Sequence, residues 1–165
     1  MHGIAARTYL QALFAILLGL AGVSPTFANT VDELLAQDKA PPGVVFEILE
    51  RDEQALGWAV PLVAQEAKRL RQKFPGLDIA VVTHGREMFA LQTNQKKRNR
   101  QIHTEVEQLV KTDQVAVHVC GTHASWRNLD KEHFVDFVDF GPSAPSQLNN
   151  YRDLGYVVVR LRQHE

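Results

Sequence analysis

VAVHVCGTH, residues Val115 to His123, reads as a buried strand that delivers the chain's single cysteine, Cys120, to a glycine turn flanked by histidines. A run of apolar residues interrupted only by His118 is the pattern of a strand covered on both faces, the habit of parallel sheets. Side-chain alternation then puts Ala116, His118 and Cys120 on one face and Val115, Val117 and Val119 on the other. His118 is thus predicted beneath the thiol.

Similar runs lie on either side. VVFEIL (Val44–Leu49) and LDIAVV (Leu77–Val82) are too short for helices, and each follows a Pro–Gly break, at Pro41, Pro42 and Gly43 and at Pro75 and Gly76. HFVDFVDF (His133–Phe140) and YVVVRL (Tyr156–Leu161) complete a set of five predicted strands. Between them Leu62, Val63, Ala67 and Leu70 fall at helical spacing, with Pro61 expected in the first turn and Phe74 near the end. Ile102, Val106, Leu109 and Val110 share one face of a further helix, and a short helical piece is expected at Met88–Leu91. A last helix runs from Ser143, a candidate N-cap, to Gly155, a C-terminal stop. Strands alternating with helices in this way predict a doubly wound α/β fold around a mainly parallel five-stranded sheet.

The first 28 residues are set apart from that domain. Arg7, an apolar run from Leu10 to about Val23, and small residues Thr26 and Ala28 form a cleavable export signal, with the cut expected after Ala28. The run falls short of the roughly 20 residues a membrane span needs. Residues 29–42 read as a polar lead-in and 43–165 as one domain. The protein is therefore expected in the periplasm or outside the cell, with no membrane attachment once the leader is removed. The chain has 18 basic and 19 acidic side chains, and removing the leader subtracts only Arg7. No basic excess points to nucleic acid. A lone cysteine in an oxidising compartment can form no internal disulfide, so burial or chemistry must account for it.

Ligands of open α/β sheets bind at the carboxyl ends of the strands. THG (Thr83–Gly85) and CGTH (Cys120–His123) would meet there, which makes Cys120 the candidate reactive group. His84, Gly85, Gly121, Thr122, His123 and His118 are its candidate supporting residues. Backbone N–H groups after Gly121 would favour a thiolate, while His84 and His123 could act as acid or base. Position alone leaves a second reading open, in which Cys120 is a small inert core residue and His118 a core histidine. Cys120 and His123 form a C-x-x-H pair, but a single cysteine with scattered histidines does not make a recognisable zinc or copper set, so no metal and no cofactor is expected. The basic run Lys96, Lys97, Arg98 and Arg100 reads as a solvated helix start. Asp136 and Asp139 fall on opposite faces of a strand and make no carboxylate pair. Nucleotide-loop, G-x-S-x-G and H-E-x-x-H motifs are absent from the sequence.

Taken in order, IAVVTHG, a helix, VAVHVCGTHASW, and FVDFVDFGPSAPSQLNNYRDLGYVVVRL resemble the DsrE/DsrF-like, or YchN-like, family from about Val44 to Leu161. The resemblance implies a three-layer α/β/α fold, self-assembly into oligomers, and a cysteine that carries sulfur as a persulfide between donor and acceptor proteins. Cys120 is the position that would inherit that role. Relatives with such a relay act in the cytoplasm, whereas this chain carries an export signal. The alternative is an oligomeric protein that binds a small ligand or metal in the periplasm without catalysis.

Overall fold

The computed structural model describes residues 30–163, so the export signal expected at 1–28 lies outside the described residues. The order of elements is α1 (Val31–Leu35), β1 (Gly43–Ile48), α2 (Leu56–Lys73), β2 (Asp78–Thr83), α3 (Arg100–Lys111), β3 (Ala116–Cys120), α4 (Gly121–Ser125), β4 (Asp139–Gly141), α5 (Ala144–Asp153) and β5 (Val157–Arg160). All five strands are parallel, in the spatial order β4-β3-β2-β1-β5. The chain steps outward from β1 to β4 and then returns to the far side of β1, so the winding direction reverses between β1 and β5.

Strand register decides which side chains share a face. Phe46 pairs with Val81 and Val159, and Val81 with Val117, forming one apolar face. Ile48, Val81 and Val117 of that face border one small void with Leu56, Val60 and Val63 of α2 and with Val106 and Leu109 of α3. The opposite face carries Glu47, Asp78, His118, Asp139 and Arg160 and is covered by α5, which packs on β5 and β2. Burial of the aliphatic side chains on the first face supplies the main stabilising term, at roughly 1.5–3 kcal/mol for each large side chain fully removed from water.

Local signals explain most boundaries. Ser143 caps α5 by accepting from the Ser146 N–H at 3.2 Å, and Gly155 ends it in the left-handed region at φ 82°. Within the lead-in, Val31–Leu35 form α1. Thr30 and Glu33 cap its start reciprocally, Val31 and Leu34 are buried, and Asp32 pairs with Arg69 of α2 at 2.7 Å. Pro61 sits in the second turn of α2, beyond the first turn expected. The Gly57 carbonyl that a residue there would have bonded belongs to an exposed turn, where water can serve it.

The fourth strand departs from expectation. Only Asp139–Gly141 pairs with β3; Lys131–His133 forms a 3-10 turn, and Phe134, Val135 and Val138 are buried in an irregular segment. The spacing 134, 135, 138 has no period of two, so these residues cannot fill one face of a strand. Phe134 fills the core instead, with its ring 6.5 Å from Phe89 and 5.7 Å from Phe140.

Candidate functional site

The loops leaving the strands at their carboxyl ends enclose a cavity of about 710 Å3. Leu49, Glu50 and Arg51 reach it from β1, and His84, Gly85 and Arg86 from β2. Cys120, Thr122, His123 and Trp126 come from β3 and α4, Ser143 and Pro145 from the start of α5, and Arg160 from β5. It occupies the place where ligands are expected in a doubly wound sheet. Of the sequence-nominated residues it brings together His84, Gly85, Cys120, Thr122 and His123.

Cys120 is both the last residue of β3 and the N-cap of α4. Its Sγ accepts the His123 backbone N–H at 3.4 Å, and the residue is 6% exposed. A donor aimed at sulfur bonds more strongly to the charged form than to the neutral thiol. Gly121 follows because α4 crosses the end of β4 closely: a Cβ there would lie 2.6 Å from the Gly141 carbonyl oxygen and 2.8 Å from the Phe140 ring. Thr122 fastens α4 to the turn before α5, with its Oγ1 and N–H both donating to the Pro142 carbonyl, at 2.7 and 3.0 Å.

The histidines differ in what they are free to do. His123 Nδ1 lies 2.8 Å from the His84 carbonyl oxygen, which can only accept, so Nδ1 carries a proton and the tautomer favoured for the neutral ring has its lone pair on Nε2. Its ring is held edge-on to Phe89 at 5.0 Å and against Trp126 at 5.3 Å. His84 donates from Nε2 to the Glu47 carboxylate at 2.9 Å, and this hydrogen bond, against an opposing effect of burial, holds Glu47 below the usual carboxylate range. His118 is placed elsewhere. It shares the Cys120 face as alternation predicts, but its Nε2 meets the Tyr151 hydroxyl at 2.7 Å and its Nδ1 lies 3.6 Å from Asp139, under α5 and away from the cavity lining. Burial pushes its basicity down, opposed by Asp139.

Beneath the cavity is a residue that sequence reasoning passed over. Glu87 is fully buried, and its carboxylate accepts the Thr83 hydroxyl at 2.6 Å, the Gly85 N–H at 2.9 Å and the Glu50 N–H at 2.8 Å. One side chain therefore clamps the exits of β1 and β2 together. Gly85 is glycine for the same reason, since a Cβ would run into the Glu50 backbone and the Glu87 carboxylate. The available signal was a lone carboxylate in the otherwise apolar EMFAL. Sequence reasoning also passed over Arg51, Arg86 and Arg160. The basic run Lys96–Arg100 contributes no side chain to the cavity lining. Among the described residues, no group of histidine, cysteine, aspartate or glutamate side chains is placed to hold a metal ion, and no helix is long and apolar enough to cross a membrane.

Comparison with known proteins bears on the whole domain. Residues 49–161 match the model of the DsrE/DsrF-like family. No curated protein is significantly similar in sequence. A solved protein of unknown function from Methanobacterium thermoautotrophicum superimposes with a TM-score of 0.55 at 19% identity, covering 72% of this chain and 97% of that one. The ychN protein of E. coli superimposes with a TM-score of 0.47 at 16% identity, covering 72% of this chain and 99% of its own.

Proposed function

This chain belongs to the DsrE/DsrF-like family, a family associated with sulfur relay, and from that premise we propose that it is a single-cysteine sulfur carrier acting through Cys120. The observation that carries this reading is that Cys120 is among the residues lining the cavity, with the His123 N–H directed at its sulfur. In the reaction proposed, the thiol gives up its proton to a base, a role assigned to His123, whose imidazole belongs to the same cavity lining and uses Nδ1, not Nε2, to hold the His84 carbonyl. The thiolate attacks the outer sulfur of a donor R–S–SH, the S–S bond breaks, Cys120–S–SH forms, and R–S⁻ leaves and recovers the proton as R–SH. No oxidant or reductant is consumed. An acceptor thiolate then removes the outer sulfur by the same step.

The export signal expected from the sequence at residues 1–28 supports action in the periplasm or outside the cell, and family membership supports a homo-oligomer as the working form, with other donor or acceptor proteins as partners. Reduced protein incubated with a persulfide donor is expected to gain ~32 Da at Cys120, and Cys120→Ser to gain nothing. A wild-type thiol that stays unmodified and also resists alkylation would overturn the reading in favour of a non-reacting binding protein.

A further inference from the structure

We propose that the cavity admits a low-molecular-weight persulfide bearing carboxylate groups, and that Arg51 and Arg160 bind those carboxylates. This rests on the carrier reading of Cys120 and names the class of donor. Depth is the first consideration. Cys120 is 6% exposed and lines a recess, so a small molecule that enters the cavity approaches it more readily than a flat surface does. Size is the second. A cavity of about 710 Å3 is far larger than an inorganic sulfur anion requires and falls within the range that holds a small organic ligand.

Charge supplies the chemistry. Arg51, Arg86 and Arg160 come from the exits of β1, β2 and β5, widely separated in sequence, and converge on one cavity. Glu50 is the one carboxylate in the lining. The nearby Glu53 is shared by Arg86 at 3.2 Å and Arg127 at 3.4 Å, and Glu47, bonded to His84, is also the strand neighbour of Arg160, whose charge helps hold its carboxyl low without a direct ion pair. Neither Arg51 nor Arg160 forms an ion pair with a described residue. A guanidinium presents a fork of donors matched to a carboxylate. Leu49, Pro145 and the 75% exposed Trp126 add apolar surface at the mouth, which suits an organic body behind the anionic groups.

Two measurements test this separately from the carrier reading. In the first, Cys120 persulfidation is timed with glutathione persulfide, cysteamine persulfide and thiosulfate as donors. Glutathione persulfide is expected to react about tenfold faster than the cationic cysteamine compound, and Arg51→Gln with Arg160→Gln to remove that preference. Equal rates with the two persulfides, or a faster reaction with thiosulfate, would overturn the donor class while leaving Cys120 a carrier. In the second, S-methylglutathione, which cannot transfer sulfur, is titrated into Cys120→Ser by calorimetry. Binding that weakens about tenfold in the double arginine variant, and as salt is raised, supports the anion site even if Cys120 accepts no sulfur. No binding, or binding indifferent to both arginines, overturns it.

Discussion

His118 and His123 lie on either side of Cys120, two residues before it and three after, yet they belong to different parts of the molecule. On the α5 side, His118 is wedged between Tyr151 and Asp139 with both ring nitrogens facing partners. On the α4 side, His123 has one nitrogen anchored to a carbonyl and the other without a partner among the described residues, and it lines the cavity. The difference teaches that the end of a parallel strand is a boundary of function. A side chain within the strand is met by the helix that covers the sheet, while one beyond the last paired residue faces open space between loops.

The comparison can be broken most severely from below. Glu87→Gln replaces one acceptor oxygen with an amide that must face donors already present, and a loss of about 3 kcal/mol is expected in denaturant unfolding. Because Glu87 ties the exits of β1 and β2, cavity chemistry should fall with stability. Unchanged stability in that variant would mean the clamp does not hold the cavity edge.

His123→Gln should slow Cys120 persulfidation about a hundredfold, as loss of a general base does at the low end, with little change in stability. His118→Gln should do the reverse, leaving the persulfidation rate within about twofold and costing about 1 kcal/mol through the lost Tyr151 contact. A slower reaction in the His118 variant would erase the distinction between the two sides.

A pH titration of stability sharpens the same contrast. Burial lowers the His118 pKa below its ordinary 6.5, so the fold favours the neutral ring. That contribution is complete above the unfolded value and is lost as pH falls through the folded one. The acid limb of the wild-type stability curve should therefore be steeper than that of His118→Gln below pH 6.5. Equal slopes would show that protonating the ring costs nothing under α5. The smallest effect is expected at the rim, where Trp126→Ala should shift stability by no more than about 0.5 kcal/mol.

Sequence alone determined the parallel α/β frame and the placing of Cys120, His84 and His123 at its edge. Those features rest on short-range rules: runs of β-branched residues, Pro–Gly stops, the Ser143 cap and the Gly155 stop act within a few residues of themselves. Only the tertiary structure decided that Phe134 and Val135 fill core outside the five-stranded sheet, that Glu87 is a buried clamp, and that arginines at 51, 86 and 160 share one cavity. Each depends on which strand lies beside which, and on what loops from distant positions meet above them. No local pattern of apolar and charged residues encodes that order, because it is settled when the whole sheet closes over its core.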